Sequence, residues 1–532
     1  MSDDGGRGAT LVAAGILLSR LSGLVREAAV AGFLGVGVAA DAFKAALRIP
    51  NLLQNLLGEG VLSASFIPVY ARLLDTDEEE AGRTAGAVAG LMLAAVSALV
   101  VVGMVAARPI TIVLTPGFDG DKLDLTVDLV RIMFPGVGLI VLSAWCLAIL
   151  NSHRRFFLSY VAPVLWNAAQ VVIVAAVAIG GATGVTLATA LAWGVVLGGA
   201  AQLLVQLPTV RSLVPGLRLT LDRTRRPVRD AISRLPPVIF GRGVVQISGY
   251  VGLVLTSLLV TGALAATTYA QVLYLLPVSL FGMSVAAAEL PELSRMRPED
   301  RARLAGRVQQ GLRRVAYFVA PTAVFYIALG EPVVATLFER GEFGPSDTRL
   351  VWFVLAAYSL GLLASTASRL LQNSLYALDD PRTPARIALV RVLTSTAIAA
   401  SVMFAFDQLV LVGTAVRFEG DVPGADDLLH LGAIGIALGS AAGAWVELVL
   451  LRLALRWRIG AIDLGGGAMG TLLTAALVGG AVGRIVDLLL PELAHPLLGA
   501  LTVGAAGLTY LGITTALGFP VRSMLGTGSP EA

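Results

Sequence analysis

Long apolar stretches follow one another along almost the whole chain, separated by short polar connections. A helix needs roughly 20 apolar residues to cross the hydrocarbon core of a bilayer. Fourteen stretches meet this requirement, and they cover residues 10–33, 38–71, 85–107, 124–150, 158–181, 185–208, 231–262, 264–293, 311–330, 348–377, 386–406, 430–455, 466–489 and 496–519. Lipid offers no partner to unpaired backbone groups, so only helices fit these stretches. The second, seventh, eighth and tenth stretches are long enough to tilt or kink, and Pro50, Pro68 and Pro277 are the predicted kink sites. The pattern predicts an all-α polytopic membrane protein with about fourteen transmembrane helices.

The composition excludes several classes of protein. Of 532 residues 56% are hydrophobic and 14% are charged, whereas a soluble domain carries about 25% charged residues. The net charge of +3 comes without a basic stripe interleaved with aromatic residues, so we expect no nucleic-acid partner. A single cysteine, Cys146, and three scattered histidines predict neither a disulfide nor a metal site. We expect no catalytic residues and no cofactor.

Charge in the connections predicts the orientation of the chain. The connection 209–230 carries six arginines against two aspartates, and loop 294–310 is also rich in arginine. Loops 331–347 and 407–429 are acidic. With fourteen spans the basic connections fall on the same side as both termini, and the positive-inside rule places that side in the cytoplasm. The sequence therefore predicts a multi-pass protein of the bacterial cytoplasmic (inner) membrane with both termini cytoplasmic.

The two halves of the chain share a set of short sequence features. The matched segments are 43–50 with 269–277, 68 with 291, 115–118 with 340–343, and 150–152 with 372–374, at offsets between 222 and 227 residues. Six predicted helices separate corresponding points. Because six is an even number, the two halves cross the membrane in the same direction. Two parallel repeats around a central cleft are typical of transporters. We predict a six-helix lobe over 1–208, a basic cytoplasmic linker over 209–230, a second six-helix lobe over 231–457, and two extra helices with a short tail over 458–532.

Ionisable side chains concentrate on the first two predicted helices. Each such group costs about 2.5–3.5 kcal/mol in the middle of a span, so it needs a physical reason. Arg20 and Glu27 share one helical face, and Asp41, Lys44 and Arg48 form a stripe on the next helix. The candidate substrate-binding residues are Arg20, Arg26, Glu27, Asp41, Lys44, Arg48, Gln54, Glu59 and, in the seventh span, Arg242.

Two interpretations of these charges stay open. The polar stripes can form an ion network that only holds the helices together, or they can line a hydrated cavity with excess positive charge. Arginine suits a diphosphate because its planar fork donates paired, charge-assisted hydrogen bonds. For Arg242, snorkelling to the cytoplasmic surface is the alternative to a role in the cavity.

Several motifs resemble the MurJ (MviN) family, the lipid II flippases of peptidoglycan synthesis, within the multidrug/oligosaccharidyl-lipid/polysaccharide (MOP) exporter superfamily. They include Ser-Arg-Leu-Ser-Gly-Leu-Val-Arg-Glu over 19–27, Ala-Asp-Ala-Phe over 40–43, Pro-Asn-Leu-Leu over 50–53, Thr-Pro-Gly-Phe over 115–118 and Asp-Pro-Arg-Thr-Pro over 380–384. The resemblance implies twelve helices in two lobes, with two extra helices that line a groove for a lipid tail. It also implies outward transfer of undecaprenyl-diphosphate-linked disaccharide-pentapeptide by alternating access.

The resemblance implies functional roles residue by residue. Arg20, Arg26, Glu27, Asp41 and Glu59 match functional positions of the family. Two matches fail, because Gln54 and Val272 stand where the family usually has arginine. We hypothesise that Lys44 and Arg242 restore the lost positive charge; the rival hypothesis is a less basic cavity with a different substrate.

Other functions remain open at this point. The chain could export another polyprenyl-linked oligosaccharide, such as an O-antigen-type precursor, or a cationic drug, although an arginine-rich first helix disfavours a cationic cargo. It could be a membrane glycosyltransferase that uses acids such as Glu339, Glu342 and Asp347, or a lipid-binding scaffold that transports nothing. No P-loop motif occurs, so ATP is not the direct drive. Coupling to the membrane potential or to an ion stays open, as do partners among membrane lipids and cell-wall synthesis proteins.

Overall fold

The computed structural model describes residues 3–282, 301–412, 415–421, 428–460, 466–491, 493–519 and 521, which are almost entirely helical. Residues 283–293 of the predicted eighth stretch, with Pro291, and residues 294–300 of loop 294–310 lie outside these residues. The chain divides into two compact units, Met1–Thr261 and Gly262–Ala532. The lobe boundaries at 208 and 231 stay a prediction.

The described part of the first unit contains twelve helices. They are α1 (Asp3–Leu34), α2 (Val38–Arg48), α3 (Asn51–Leu57), α4 (Glu59–Ser65), α5 (Ile67–Thr76), α6 (Glu78–Val105), α7 (Ala107–Leu114), α8 (Gly120–Ser152), α9 (Phe156–Ile179), α10 (Gly184–Leu213), α11 (Arg226–Ser233) and α12 (Leu235–Ser257).

The second predicted span is broken into the four short helices α2 to α5. Pro50 lacks a backbone N–H and separates α2 from α3. Gly58, whose backbone is extended, separates α3 from α4, and Pro68 lies in the first turn of α5. Together the four helices still form one candidate span of 39 residues, Val38–Thr76. The predicted kinks at Pro50 and Pro68 are confirmed, and the break at Gly58 is an addition.

Small residues let the long helices of the first unit approach closely. A Cβ atom added to Gly199 of α10 would lie only 2.6 Å from the carbonyl oxygen of Gly136 in α8. Helix α1 packs along α9 in a similar way, because a Cβ at Gly15 would lie 2.7 Å from the Tyr160 Cβ. Membrane helices gain stability from such backbone proximity, since lipid supplies no hydrophobic driving force between them.

The connection between α10 and α11 packs against α6 over part of its length. The Thr220 N–H donates to the Gly86 carbonyl over 3.4 Å, and a Cβ at Gly86 would overlap the Arg218 backbone. Arg225 forms ion pairs with Glu80 at 2.6 Å and with Asp222 at 3.0 Å. The segment that the charge pattern predicts as a linker is therefore fixed to α6 in its middle.

The second unit contains nine further α-helices and a small sheet among its described residues. The helices are α13 (Ala263–Pro277), α14 (Arg301–Ala328), α15 (Gly330–Phe338), α16 (Pro345–Ser359), α17 (Leu362–Ala377), α18 (Arg382–Asp407), α19 (Gly432–Ile459), α20 (Gly466–Leu489) and α21 (His495–Ala516), with a π-helical turn at Val278–Gly282. This turn follows Pro277, where a kink is predicted.

A three-stranded antiparallel sheet occupies part of the acidic loop 407–429. Its strands are β1 (Leu409–Val412), β2 (Ala415–Phe418) and β3 (Leu429–His430), in the order β2-β1-β3. Val410 lies opposite both Arg417 and His430. The short runs Leu-Val-Leu-Val and Ala-Val-Arg-Phe have the β-branched and aromatic residues typical of strands, but an all-helical prediction passed over them.

Ten helices in the described part of the chain are long and apolar enough to cross a membrane, and twelve if each of two bent pairs forms one span. The pair α14 and α15 bends by 81°, and the pair α16 and α17 bends by 43°. Helices α1 and α12 coincide with the predicted first and seventh spans without being among these candidates. The polytopic helical fold is confirmed, whereas the count of fourteen is not.

The internal repeat appears in the order of the elements. Helices α6 and α7 precede the turn at 115–118 and helix α8, and helices α14 and α15 precede the turn at 340–343 and helix α16. In both turns a phenylalanine N–H donates to the carbonyl three residues earlier, over 3.0 Å at Phe118 and 3.1 Å at Phe343. Both phenylalanine rings are buried. The sequence match at these two segments therefore corresponds to matching local structure.

Candidate functional site

Helices α1 and α2 carry most of the predicted site residues, and a glycine turn joins them. Gly35 ends α1 with a φ of 58°, a left-handed conformation that favours glycine. On α1 the Ser22 hydroxyl accepts a hydrogen bond of 2.9 Å from the Asn167 side-chain amide of α9. Helix α2 packs against α8 and α10. The charged side chains of α1 and α2 are therefore held by helices on several sides.

Glu27 lies between two cations. The Lys44 ammonium group of α2 donates to Glu27 Oε2, and the Arg26 guanidinium donates to Glu27 Oε1 over 2.5 Å. Glu27 is 6% exposed and Lys44 is 5% exposed. Two positive charges and one negative charge leave this cluster, Arg26–Glu27–Lys44, with a formal charge of +1. The cluster joins three of the predicted site residues in one contact group.

Arg26 also contacts an aromatic ring that the sequence did not identify. Its guanidinium carbon lies 4.7 Å from the centroid of the Trp166 ring of α9, a distance typical of a cation–π contact. The Arg26 side chain retains 14% of its exposure, against 3% for Lys44. Of the two cations on Glu27, Arg26 is therefore the one that keeps access to its surroundings.

Asp41 forms a second ion pair, with Lys122 at the start of α8. The Lys122 Nζ lies 2.7 Å from Asp41 Oδ2, 3.4 Å from the Thr261 hydroxyl and 4.1 Å from the centroid of the Phe118 ring. Asp41 is 1% exposed. The chain has only two lysines, Lys44 and Lys122, and each one binds a buried carboxylate of α1 or α2.

The remaining predicted residues lie on α1, α2, α3, α4 and α12. Arg20, Gln54 and Glu59 are exposed and Arg48 is half-buried. The Arg48 carbonyl accepts a hydrogen bond of 3.2 Å from the Tyr250 hydroxyl of α12. Next to Gln54, the Asn55 amide donates to Gln246 Oε1 over 3.2 Å. Arg242 belongs to α12, but its side chain lies outside the described residues.

Two contact residues of the site were missed in the sequence. The rarity of lysine in this chain could have pointed to Lys122, which stands at a helix start next to the Thr-Pro-Gly-Phe motif. Trp166 carries no comparable signal, because one aromatic residue in an apolar helix is ordinary. Its role emerges only where α9 packs on α1.

The second unit contains a separate ion pair around one buried carboxylate. Glu447 of α19 is 1% exposed, and it accepts from the Arg391 guanidinium over 2.6 Å and from the Gln372 amide over 2.8 Å. Arg391 also donates to the Ser365 hydroxyl over 3.4 Å. These contacts join helices α17, α18 and α19 by charge-assisted hydrogen bonds. This pair was not predicted from the sequence.

The chemistry of the first-unit cluster suits an anion better than a metal ion. Within the described ranges, no group of three or more His, Cys, Asp or Glu side chains could hold a metal. Arginine presents a planar donor fork that matches phosphate oxygens. Because the Glu27 carboxylate pairs with both Arg26 and Lys44, it does not cancel the positive charge of the two cations. The cluster can therefore attract an anion while its own carboxylate stays paired.

Solved structures with a similar fold are transporters. A structure described as "Lipid II flippase MurJ, inward closed conformation" superposes with a TM-score of 0.77 at 20% identity, covering 97% of this chain and all of that one. An inward-facing multidrug resistance MATE family transporter of the MOP superfamily gives a TM-score of 0.62 at 18% identity over 84% of this chain and 95% of that one. At these identities the likeness shows the fold.

Sequence comparisons identify the family. A probable lipid II flippase MurJ from Rhizobium tropici is 32% identical over 443 residues, 82% of this chain and 78% of the relative. The lipid II flippase MurJ from Burkholderia cenocepacia is also 32% identical, over 83% of this chain and 82% of its own length. The family model for lipid II flippase MurJ matches residues 30–416. The chain belongs to the MurJ family of lipid II flippases, and it is a multi-pass membrane transporter rather than an enzyme.

Proposed function

We propose that this chain moves lipid II, the undecaprenyl-diphosphate-linked peptidoglycan precursor, from the cytoplasmic to the outer leaflet by alternating access. Membership of the lipid II flippase family supports the substrate. The main observation in support of the site is the Arg26–Glu27–Lys44 cluster, which has a net positive charge and lies on the first two helices. A diphosphate is the part of lipid II that such a charge attracts.

Lys44 has a specific part in this proposal. A carboxylate beside Arg26 would cancel the arginine's charge if it had no other partner. Because the Lys44 ammonium group binds the other oxygen of Glu27, the charge of Arg26 stays in surplus. Lys44 thus offsets one of the two cations lost at Gln54 and Val272, and Arg242 is proposed to offset the other.

The remaining assignments belong to the same proposal. Arg20, Arg48 and Glu59 contribute to the substrate site, and Asp41 acts through its ion pair with Lys122. Both termini lie in the cytoplasm, as the basic connection 209–230 favours. No cofactor takes part, and the drive comes from the membrane potential or a coupled ion, since moving one charge is worth about 2.3 kcal/mol per 100 mV. Cell-wall synthesis proteins are proposed partners.

A second candidate function follows from the two missing cations. With Gln54 and Val272 in place of arginine, a less basic site would suit a lipid carrying fewer negative charges on its head group. The second proposal is export of another polyprenyl-linked oligosaccharide. Direct competition between lipid II and a polyprenyl monophosphate-sugar for the purified chain separates the two proposals.

The test in cells is complementation of a strain depleted of its own lipid II flippase. We expect the unmodified chain to restore growth, and Arg26→Ala, Lys44→Ala and Arg242→Ala to restore it poorly. Arg211→Ala is the matched control, since Arg211 is an exposed arginine in the last turn of α10. Immunoblotting of membranes verifies that every variant accumulates.

Each component of the proposal has its own contrary outcome. An unmodified chain that reaches the membrane but restores no growth contradicts lipid II transport. Full rescue by Arg26→Ala contradicts the site. Full rescue by both Lys44→Ala and Arg242→Ala removes the hypothesis that these residues replace the missing arginines.

A further inference from the structure

An apolar cavity lies within the first unit, away from the Arg26–Glu27–Lys44 cluster. Its volume is about 270 Å³, and its walls come from α3, α4, α6, the connection after α10, α11 and α12. Side chains such as Leu62, Phe66 and Met92 line it, and among the described lining residues Arg223 is the only charged one. The one other polar lining side chain, Ser65, donates its hydroxyl to the Val61 carbonyl over 2.7 Å. The cavity therefore offers apolar walls and one cationic group.

Arg223 is available to a ligand. It is exposed, and among the described residues it forms no ion pair. Its neighbour Arg225 differs, because Glu80 and Asp222 bind that guanidinium. The Thr224 N–H and hydroxyl also bind Asp222, over 2.8 and 2.6 Å. Glu80 and Asp222 thus have other partners, and no carboxylate among the described residues forms an ion pair with Arg223.

Helix α11, which forms part of the cavity wall through Ala231 and Ile232, has an exposed face with two arginines. In α11, Val228 and Ala231 are buried, whereas Arg226 and Arg229 are exposed. Clustered arginines attract the anionic head groups of lipids. Arg226 and Arg229 therefore add positive charge on the helix that borders the cavity.

We propose that this cavity is a regulatory or structural binding site for an anionic glycerophospholipid, separate from the transport substrate. One acyl chain occupies the apolar cavity, and the phosphate contacts Arg223. Moving an acyl chain from lipid into an apolar cavity gains little, since both surroundings are equally apolar. The contact between Arg223 and the head group therefore sets the selectivity for anionic over zwitterionic lipid.

The first test measures lipid retention by native mass spectrometry of the full chain in detergent. The probes are phosphatidylglycerol and phosphatidylcholine with identical acyl chains. We expect Arg223→Gln to lower the preference for phosphatidylglycerol about fivefold, the effect of one arginine near a head group. Arg211→Gln, which removes the same charge from the same basic region, should leave the preference unchanged. Equal losses in both variants would indicate diffuse attraction and overturn the proposal, as would equal retention of the two lipids by the unmodified chain.

The second test locates the acyl chain. A phosphatidylglycerol with a diazirine at the end of one chain should label the α6 segment 88–96 on illumination, and Ala95→Phe, which fills the exposed side of the cavity, should remove that label. Labels confined to the outer faces of other helices would overturn the proposal. An excess of lipid II that displaces the probe would also overturn it, because the cavity would then hold the substrate's tail.

Discussion

Lys44 and Glu27 form an ion pair between α2 and α1 in which both side chains are nearly inaccessible to solvent. Arg26 binds the other carboxylate oxygen, so one acid holds two bases. A buried charge that loses its partner is strongly destabilising, by about 3–5 kcal/mol. The pair therefore links the stability of the first unit to the charge of the proposed substrate site.

Replacing Glu27 should destabilise the protein far more than replacing an exposed acid. We expect Glu27→Gln to lower the free energy of unfolding by about 3–5 kcal/mol, because the buried Lys44 ammonium group loses its ion pair with the Glu27 carboxylate. Denaturant unfolding of the purified chain in detergent measures it. The control is Glu79→Gln, since the pair of Glu79 with Arg83 is exposed and worth about 0.2–1 kcal/mol. Similar losses in the two variants would contradict the assignment.

The ion pair between Asp41 and Lys122 should show energetic coupling. We expect Asp41→Asn and Lys122→Met each to destabilise the chain, and the double variant to be more stable than the sum of the single effects. Coupling between contacting residues is about 0.5–3 kcal/mol. A double-mutant cycle on unfolding free energies measures it. Strictly additive effects would mean that the 2.7 Å contact contributes nothing.

A glycine stripe in the second unit allows a steric prediction. Gly435, Gly439 and Gly443 face α18, and a Cβ at Gly439 would lie 2.6 Å from the Ser395 carbonyl oxygen. We expect Gly439→Ala to destabilise by about 1–3 kcal/mol, as overpacking does. At Gly504 of α21 a Cβ meets nothing within 4 Å, so Gly504→Ala should be neutral or stabilise by about 0.5–1 kcal/mol. Thermal unfolding distinguishes them, and equal midpoints for the two variants would refute the close contact.

The motif over 380–384 allows a pH prediction. A hydrogen bond from the Thr383 hydroxyl, with the Thr383 N–H and the charge of Arg458, holds the pKa of Asp380 below its ordinary value. A carboxyl whose folded-state pKa is lowered stabilises above its unfolded pKa and loses this contribution as pH falls through the folded pKa. Asp380→Asn should therefore cost about 0.2–1 kcal/mol at neutral pH and nothing in strong acid. Asparagine can still accept the hydrogen bond from the Thr383 N–H at the start of α18. The difference in stability between the variant and the unmodified chain therefore reports the charge of Asp380.

Asp379→Asn serves as the control for Asp380. Asp379 is exposed and has a φ of 57°, a conformation that asparagine also adopts. For Asp379→Asn, the unfolding midpoints between neutral pH and about pH 2, below the ordinary pKa of an aspartate, should match those of the unmodified chain. A pH-independent difference for Asp380→Asn, or the same curve for both variants, would contradict the proposed origin of the stabilisation.

The length of the apolar stretches made the helices predictable, and the positions of proline made some of the helix breaks predictable. Pro50 and Pro68 interrupt the second span as expected, because proline cannot donate to the preceding turn. The break at Gly58 was missed, since glycine is common in membrane helices and gives no unique signal. The strands that pair Val410 with Arg417 and His430 were missed although their residue types favour strands, because the prediction treated the whole chain as helices and loops.

The residues of the site were easier to predict than their partners. A charge inside an apolar stretch is costly, so Arg26, Glu27 and Lys44 were identifiable one by one. Helical periodicity grouped Asp41 with Lys44, but Asp41 binds Lys122 of α8 and Lys44 binds Glu27 of α1. Periodicity shows which side chains share a face of one helix, and it contains no information on which other helix packs there.

Lipid II translocation by the purified chain in vesicles tests the central claim most directly. The vesicles contain fluorescent lipid II, and a membrane-impermeant quencher reports how much of it reaches the outer leaflet. The account predicts rapid translocation by the unmodified chain and by Arg211→Ala, and little above protein-free vesicles for Arg26→Ala. Translocation by Arg26→Ala at the rate of the unmodified chain, with all proteins folded, would contradict it.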